Sequence, residues 1–411
     1  MLIDLDLKDQ KVLIIGGGNV ACRKAKEYLS YQAKVFLLSQ DIKEELHSLP
    51  ITILQQSYTK EVLQDCFLVH VATNDAILNE NIVQDCASQK MLCICATASS
   101  AHAHSILNME TDDVCMGIGT KGSYPALNRI LLQRFMNIYE TEYADKMPYL
   151  SSIRSLLLSS NNDKNRIQER LKQLPQESIA FLAFLEEALT LQKASLMVFH
   201  GVKNIASIKE EILPFLKDRT MQSKTPCYFA YLSTPVIREI NKESHQVFSL
   251  YELIELLSLC KVSITLYPML MQGGRYHQMV LDAAGTSDIK QLPFSNVEQL
   301  QKLMDTIHKE YHQQNHTLLI LYHSSENGAF SQLIKRINLP KDTLICSEKA
   351  MDIMDPQQFQ HNVIVYSLLM LSGYHMKEDG QRIQDHLAAH KVTFIQQSCI
   401  KDPCIRTLFS L

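Results

Sequence analysis

The sequence of 411 residues lacks an apolar stretch long enough to form a membrane-spanning helix. It also lacks a secretory signal, because its first residues, MLIDLDLKDQ, carry acids where such a signal has a basic start and an apolar core. These two absences predict a cytoplasmic protein without a membrane partner.

A regular cysteine pattern is missing as well. The 11 cysteines do not show the spacing of a disulfide framework, and neither Cys93 and Cys95 nor Cys399 and Cys404 have a second pair to complete a tetrahedral metal site. We therefore expect reduced, structural thiols. The formal net charge of -4 shows no excess of positive charge, which argues against a nucleic-acid partner.

The composition is that of a globular protein, with 46% hydrophobic and 20% charged residues. The chain is too long for one average hydrophobic core. The order of apolar runs predicts an α/β protein with a Rossmann-like parallel sheet over residues 1–113, a helical region over 114–192, and two α/β lobes over 193–411.

A glycine-rich turn follows the first predicted strand, KVLII (11–15). Glycines permit a tight turn, and the helix that follows presents free N–H groups to a pyrophosphate. The pattern Gly-x-Gly-x-x-Ala therefore predicts NAD binding. The residues expected to contact the cofactor here are Gly16, Gly18, Asn19, Val20 and Ala21.

Further cofactor contacts are predicted where the next strands end. The strand KVFLL (34–38) leads to Ser39 and then Asp41, which either holds the ribose hydroxyls or caps the next helix. The run CFLVHVATND (66–75) is predicted to be a buried strand that brings Thr73 and Asn74 to the edge of the sheet where ligands bind.

Three ordered motifs, VLIIGGGNVACRKA, ATND and GSYPALNR (122–129), resemble the precorrin-2 dehydrogenase family over roughly residues 1 to 190. The resemblance implies NAD-dependent oxidation of precorrin-2 to sirohydrochlorin. Precorrin-2 carries many carboxylates, and the predicted substrate-binding residues are Lys121, Ser123 and Arg129. Arg134 either joins them or lies on a solvated helix surface.

The sequence departs from the family at the strand before the loop SSAHAHS. Several family members have an aspartate there that is thought to assist proton removal, and this chain is aligned with Ala96 at that point. His102 or His104 would take the proton instead, or both are loop histidines without a chemical role. The general base of the first reaction is thus not identified.

The middle region, 114–192, shows apolar residues at helical spacing in LNRILLQRFMNIY and in QESIAFLAFLEEALTL. By the resemblance, this region supplies homodimer contacts and part of the substrate cleft. The alternative is a helical spacer.

The last region contains a weak internal repeat. SLMVFHGV (195–202) is similar to LLILYHSS (318–325), and SITLYPMLMQGGRYH (263–277) is similar to VIVYSLLMLSGYH (363–375). Each copy is an apolar strand that ends in a histidine or a glycine-rich turn. The repeat predicts two similar lobes with a cleft between them.

The order of these motifs, and above all LLMLSGYHMKED (368–379), resembles the class II tetrapyrrole chelatases, a group that includes sirohydrochlorin ferrochelatase and anaerobic cobalt chelatase. The resemblance implies that His323, Glu348 and His375 hold the metal and catalyse its insertion. Imidazole and carboxylate suit Fe²⁺ or Co²⁺, and a neutral histidine accepts pyrrole protons. The sequence His323-Ser324-Ser325-Glu326 departs from the family's His-Gly, which either changes the choice of metal or leaves Glu326 as a further acid near this site. His200 and His277 of the other lobe are weaker candidates.

Together the two resemblances predict a bifunctional enzyme of siroheme biosynthesis. It would oxidise precorrin-2 with NAD and then insert Fe²⁺ into sirohydrochlorin. Two alternatives stay open: insertion of cobalt for cobalamin synthesis, or a non-catalytic regulator that binds NAD and a tetrapyrrole.

Overall fold

The structure is a computed structural model. It describes residues 4–95, 97, 100–101, 103–120, 124–159, 163–242, 247–270, 275–290, 296–322, 329–351, 353–359, 362–368, 381–388, 390–395 and 398–402. The chain divides into two compact units, Met1–Ile138 and Tyr139–Leu411. The described residues contain no helix that is both long and apolar enough to cross a membrane.

The first unit contains a parallel sheet of five strands in the order β3-β2-β1-β4-β5. Its strands are β1 (Lys11–Ile15), β2 (Lys34–Leu38), β3 (Thr52–Leu54), β4 (Leu68–Val71) and β5 (Leu92–Cys95). Separate apolar clusters cover the two faces of this sheet. Burial on both faces explains why β1 and β4 read as continuous apolar runs.

Helices and one hairpin complete the first unit. The helices are α1 (Asn19–Ser30), α2 (Glu44–His47), α3 (Ala76–Ser88) and α4 (Pro125–Ile138). The hairpin pairs β6 (Leu107–Glu110) with β7 (Cys115–Ile118) in antiparallel fashion. The strand order reverses direction between β1 and β4, and the carboxyl ends of these two strands form the crevice in which such sheets bind ligands.

The second unit begins with helices α5 (Met147–Ser159), α6 (Lys164–Gln173) and α7 (Ile179–Leu191). Ser178 caps α7 by accepting a hydrogen bond from the backbone N–H of Phe181. Both phenylalanines of α7, Phe181 and Phe184, contact Tyr228 of the sheet that follows. These helices therefore share a core with the next part of the chain.

Two parallel four-stranded sheets follow, one in each lobe. Lobe 1 contains β8 (Lys193–Phe199), β9 (Cys227–Tyr231), β10 (Ser263–Pro268) and β11 (Asp288–Ile289). Lobe 2 contains β12 (His316–Tyr322), β13 (Thr343–Ser347), β14 (Asn362–Ser367) and β15 (Val392–Ile395). In both sheets the second strand in sequence lies at one edge, and the spatial order then continues with the first, the third and the fourth.

Helices connect these strands. Those of lobe 1 are α8 (Ile205–Ser207), α9 (Leu213–Ser223), α10 (Thr234–Ile240), α11 (Leu250–Leu259) and α12 (Arg275–Ala284). Those that accompany lobe 2 are α13 (Val297–Tyr311), α14 (Ala329–Ile334) and α15 (Glu348–Met351). One continuous apolar cluster includes residues of helices α5, α6 and α7, of lobe 1 and of one face of the lobe 2 sheet.

The predicted α/β fold class is confirmed, with a parallel dinucleotide-type sheet, helices in the middle and two similar lobes. The internal repeat corresponds to strands with equivalent places in the two sheets. The hairpin of β6 and β7 was not predicted, and part of it lies in the region expected to be helical. The division into three segments at residues 113 and 192 stays a prediction.

Candidate active sites

The glycine-rich turn connects β1 to α1. Gly16 has a φ of +126°, and a Cβ there would lie 2.4 Å from the carbonyl oxygen of Ala72. A Cβ on Gly17 would lie 1.9 Å from the carbonyl oxygen of Asp41, whereas one on Gly18 would meet nothing within 4 Å. Glycine is therefore required at the first two positions by the protein itself. At the third it leaves open space before the start of α1.

The other three residues of the fingerprint begin α1. Asn19 is its first residue, Val20 is exposed, and Ala21 is fully buried in the core beneath the sheet. A small residue at the last position allows the helix to pack closely on the sheet. The structure thus brings the predicted cofactor residues of this turn together at the carboxyl end of β1.

The loop after β2 folds over the glycine turn. The backbone N–H of Lys43 donates to the carbonyl oxygen of Gly17 at 3.1 Å, and its Nζ donates to Oδ1 of Asn19. The hydroxyl of Ser39 donates to the carbonyl oxygen of Asp41 at 2.7 Å. A lysine therefore stands at the start of α1, where it adds positive charge to the helix dipole.

The interpretation of Asp41 as a helix cap is wrong. Helix α2 begins at Glu44, and Lys43 is its N-terminal flanking residue. The carbonyl group of Asp41 lies over Gly17, before the chain reaches the start of α2, so Asp41 is too early in the chain to cap the helix. Its ribose-binding role stays a prediction.

The ends of β4 and β5 form the other side of the crevice. Thr73 and Asn74 follow β4, and Asp75 caps α3 by accepting from the backbone N–H groups of Ile77 and Leu78. Asn79, on the first turns of α3, contacts both Thr73 and Thr97 and is 2% exposed. Thr73 is thus held next to the predicted cofactor turn.

The loop after β5 is attached at two points. Ala103 forms a parallel bridge with Ile94, and the hydroxyl of Ser105 accepts from Nζ of Lys24 at 2.8 Å. His104 lies between these two points and is exposed. Ala96 and His102 lie outside the described residues.

A buried histidine of the first unit, His70, is paired with a buried tyrosine. The hydroxyl of Tyr28 and Nδ1 of His70 are 2.7 Å apart, and burial lowers the pKa of His70 to about 4. This histidine is therefore neutral at physiological pH, and it serves to join α1 to β4.

The predicted substrate-binding residues lie around the start of α4. Arg129 and Arg134 are exposed on this helix, which begins at Pro125 as the sequence indicates. Lys121 and Ser123 lie outside the described residues. The structure therefore describes one of the three predicted substrate contacts.

The predicted metal ligands belong to lobe 2. His323 directly follows β12 but lies outside the described residues, as do Glu326 and His375, and the side chain of Glu348 at the start of α15 is likewise not described. Among the described residues there is no group of three or more His, Cys, Asp or Glu side chains that could hold a metal ion. The ligand set stays a prediction.

In lobe 1 the structure describes the residues at the positions that correspond to those ligands. Phe199 pairs with Tyr231 as Tyr322 pairs with Ser347, and Val198 pairs with Pro268 as Leu321 pairs with Ser367. The strands of the two lobes can therefore be superposed residue by residue. Counted onward along the sequence from these pairs, the lobe 1 residues that match the three predicted ligands are His200, Leu232 and Tyr276. The last match is one of sequence position alone, because His375 and part of the stretch from Pro268 to Tyr276 lie outside the described residues.

Two of these matched positions are in contact. The rings of His200 and Tyr276 have centroids 4.3 Å apart with an interplanar angle of 78°. His200 is exposed and Tyr276 is 38% exposed. His277, one position further, is partly buried, and this burial lowers its pKa. In lobe 1, therefore, the residue that follows β8 contacts the first turn of α12.

A second matched pair lies deeper, one residue before each third strand ends. In lobe 1 the ring of Tyr267 lies 5.4 Å from the guanidinium of Arg219. In lobe 2 the hydroxyl of Tyr366 donates to Asp402 at 2.6 Å, and that of Tyr311 donates to the same carboxylate at 2.8 Å. Burial, first of all, raises the pKa of Tyr366. Asp402 thus anchors the segment after β15.

The same segment also contacts lobe 1. Ser398 donates to Oε2 of Glu211 at 2.6 Å, and Nζ of Lys401 lies 3.7 Å from Oε1 of that carboxylate. Both Glu211 and Ser398 are buried. These interactions hold the end of the described chain against both lobes. Sequence reasoning did not predict them, because no local pattern marks partners so far apart in the chain.

Comparisons with known proteins agree with the first unit. The pattern of a family described as putative NAD(P)-binding matches residues 3–104. The precorrin-2 dehydrogenase of Priestia megaterium is 24% identical over 174 residues, which are 41% of this chain and 86% of that protein. The predicted resemblance of this part to precorrin-2 dehydrogenases is confirmed.

Siroheme synthases also match part of the chain. That of Sodalis glossinidius (strain morsitans) is 27% identical over 51% of this chain and 42% of its own length. Siroheme synthase 2 of Yersinia pestis (strain Pestoides F) is 32% identical over 34% of this chain and 31% of its own length. The matched region spans less than half of each of these two relatives.

Two solved structures are similar in part. SirC, a precorrin-2 dehydrogenase, matches 46% of this chain and 99% of its own with a TM-score of 0.39 and 22% identity. The sirohydrochlorin chelatase SirB from Bacillus subtilis subspecies spizizenii, in complex with cobalt, matches 53% of this chain and 92% of its own with a TM-score of 0.35 and 13% identity.

Proposed function

We propose that this chain carries out two successive steps of siroheme biosynthesis. The first unit oxidises precorrin-2 to sirohydrochlorin with NAD⁺, and the two lobes insert Fe²⁺ into that product. The observation that carries the proposal is a dinucleotide crevice followed, in the same chain, by two sheets with the same strand order, in the first of which His200 contacts Tyr276.

The crevice of the first unit fits a dinucleotide. Gly16 and Gly17 close the turn against Ala72 and Asp41, while the space over Gly18 is open for a phosphate to approach the backbone. The free N–H groups at the start of α1 and the ammonium of Lys43 supply positive charge for the pyrophosphate. Bound NAD⁺ supplies the hydride acceptor for the oxidation.

The protein's own residues would bind and orient the substrate. Precorrin-2 is a polycarboxylate, so the cationic side chains of Lys121 and Arg129, with Ser123, suit its acetate and propionate groups. Of the two candidate bases, His102 and His104, the structure describes His104. This histidine is exposed beside the carboxyl edge of β5, and it would take the proton released by the oxidation.

The second step requires a site that holds a divalent ion and gives it up again. Two imidazoles and a carboxylate, from His323, His375 and Glu348, suit Fe²⁺ without the strong affinity of thiolates. A neutral imidazole also accepts the protons that leave the two pyrrole nitrogens. The contact between His200 and Tyr276 supports convergence of the equivalent pair, His323 and His375, in lobe 2.

Co²⁺ is the second candidate metal, because the same ligand types suit both ions. Insertion of Co²⁺ into sirohydrochlorin would serve cobalamin synthesis. Measuring insertion with each ion under the same conditions distinguishes the two.

We further propose a homodimer in the cytoplasm. Helix α4 exposes Leu127, Ile130, Phe135 and Ile138, a set of large apolar side chains that a second copy of the chain would cover. The ten cysteines that the structure describes are free thiols, and most are buried, which suits a reducing compartment.

The proposal is tested with the full chain under anaerobic conditions. Precorrin-2 and NAD⁺ are added first, and formation of NADH is followed by absorbance; Fe²⁺ is then added, and the spectrum of the tetrapyrrole is followed. We expect one NADH for each sirohydrochlorin formed, and then the spectrum of siroheme. Binding of NAD⁺ and tetrapyrrole without turnover would instead favour the regulator.

A further inference from the structure

A buried amide connects the two strand ends on one side of the dinucleotide crevice. The last pair in the ladder of β4 and β5 is Val71 with Cys95, and Thr73 and Thr97 each stand two residues beyond it. Asn79 of α3 lies between these threonines and is 2% exposed. A buried amide that reaches both strand ends controls how they are oriented.

The hydrogen bonds of Asn79 have a defined direction. Its Nδ2 donates to the main-chain oxygen of Thr73 at 3.0 Å and to Oγ1 of Thr97 at 2.9 Å. Its Oδ1 accepts from the hydroxyl of Thr73 at 2.5 Å. Because a main-chain carbonyl oxygen can only accept, the amide nitrogen must face the carbonyl oxygen of Thr73, and the orientation of the whole amide follows.

This direction determines what Thr97 can do. Its oxygen already accepts from Asn79, so its own proton remains to be donated. Among the described residues its other partner is Sγ of Cys95 at 3.5 Å, a contact in which either atom can donate and in which sulfur is a weak acceptor. Within the part of the chain that the structure describes, the Thr97 proton therefore has no stronger acceptor than this sulfur, and the residue is exposed at the edge of the sheet.

The location of this donor indicates its ligand. In doubly wound sheets the adenosine lies toward the second strand, and the pyrophosphate lies at the start of the first helix. The nicotinamide half then lies toward β4 and β5. Its carboxamide presents a carbonyl oxygen, which needs a donor, and Thr73 stands beside the turn at Gly16 that the cofactor must pass.

We propose that Asn79 is a positioning residue of this crevice, which holds the Thr97 hydroxyl as the hydrogen-bond donor to the carboxamide oxygen of the nicotinamide. This inference rests on the proposed dinucleotide function and adds two residues to it. Asn79 acts only through Thr97 and does not contact the cofactor itself.

The test compares the affinity of the full chain for NAD⁺ with its affinity for ADP-ribose, which lacks the nicotinamide. Calorimetric titrations are made with the wild type, Asn79→Asp, Thr97→Val and the double variant. Asn79→Asp keeps the shape but loses both N–H donors. Asn81→Asp is the matched control, because it adds the same charge at an exposed position of the same helix.

We expect Asn79→Asp and Thr97→Val each to weaken NAD⁺ binding about 5-fold to 10-fold, the loss of one hydrogen bond. ADP-ribose affinity should stay within about 2-fold of the wild type, the double variant should lose no more than either single one, and Thr97→Ser should restore NAD⁺ binding.

Equal losses for NAD⁺ and ADP-ribose, or NAD⁺ affinity unchanged in Thr97→Val, would overturn the inference. Its failure is distinct from failure of the proposed function, which is judged by NADH formation from precorrin-2 in the wild type. A chain that shows the expected affinity pattern but forms no NADH retains this site and loses the oxidation. A chain that binds neither nucleotide contradicts both.

Discussion

Lobe 1 and lobe 2 have the same strand order and the same pairing register, but they differ in the residues at the strand ends. Lobe 1 has His200, Leu232 and Tyr276 where lobe 2 has His323, Glu348 and His375. One histidine is common to both. The repeated sheet is thus a scaffold, and the sequence of lobe 2, unlike that of lobe 1, has two histidines and a glutamate at these three places.

The deeper tyrosine pair differs in a similar way. Tyr267 of lobe 1 faces the cation of Arg219, whereas Tyr366 of lobe 2 faces the carboxylate of Asp402. In lobe 2 this interaction anchors the segment after β15 beneath the strand that leads to His375. The two lobes thus share a strand arrangement but differ in the charge of the group that faces the tyrosine of the third strand.

The largest effect is expected from the two histidines of lobe 2. The double variant His323→Ala, His375→Ala should insert Fe²⁺ into sirohydrochlorin more than about 100-fold more slowly, since even residues behind metal ligands contribute about 10-fold to 100-fold. The rate is measured from the change in the tetrapyrrole spectrum. His200→Ala is the matched control in lobe 1, and it should slow insertion by less than about 3-fold. An equal loss of the insertion rate in the control would mean that both lobes contribute to metal insertion.

The carboxylate should contribute less. Glu348→Gln keeps the size of the side chain and removes its charge, and we expect insertion to slow about 10-fold to 100-fold. Glu348→Asp should recover part of the rate because it restores the charge. The dependence of the rate on Fe²⁺ concentration is measured for each. Wild-type rates in Glu348→Gln would remove this residue from the ligand set.

The buried carboxylate of lobe 2 should affect stability. Asp402→Ala leaves the hydroxyls of Tyr311 and Tyr366 without this acceptor, and each such bond to a charged group contributes about 1.5–3 kcal/mol. We expect a lower midpoint in urea unfolding, followed by circular dichroism. Asp385→Ala, at an exposed position of the same unit, should leave the midpoint near that of the wild type. A similar midpoint in both variants would contradict the anchoring role.

The smallest effect is expected from a second buried carboxylate, that of Glu177. Glu177 precedes α7 and is 6% exposed, and within the described part of the chain its Oε2 has no hydrogen-bond partner. Burial raises its pKa from 4.5 to about 7. The folded chain therefore binds a proton that the unfolded chain has lost between these values, and stability falls as the pH rises through this window.

Glu177→Gln removes that charge. The variant should be more stable than the wild type above pH 7, and the difference should disappear toward pH 4.5. Thermal unfolding at several pH values measures this, with a change of about 2–4 °C in Tm for each kcal/mol. Glu187→Gln, exposed on α7, is the control. A gain in Tm that is the same at every pH would show that the charge of Glu177 is not its cause.

Local sequence patterns predicted the parts of this molecule that depend on neighbouring residues. The strands β1 and β2 were predicted with the bounds that the structure has, because their residues are buried on both faces of a sheet. The repeat between the lobes was visible for the same reason. The fingerprint from Gly16 to Ala21 was visible because Gly16 at its start and the small, buried Ala21 at its end each meet a steric requirement.

Features that depend on distant partners could not be predicted in this way. Nothing near Asn79 in the sequence indicates that it contacts Thr97, and the hairpin of β6 and β7 consists of two strands too short to show a clear period. Of the two alternatives for Asp41, the helix cap was wrong because the sequence of the loop does not show where helix α2 begins. The metal ligands stay a prediction carried by resemblance and by the matched positions in lobe 1.

The most direct test is the anaerobic spectrum of the tetrapyrrole after the double variant His323→Ala, His375→Ala has been given precorrin-2, NAD⁺ and Fe²⁺. We predict NADH formation at the wild-type rate and accumulation of metal-free sirohydrochlorin, while the wild type proceeds to siroheme. Formation of siroheme by the variant at the wild-type rate would contradict the assignment of metal insertion to lobe 2.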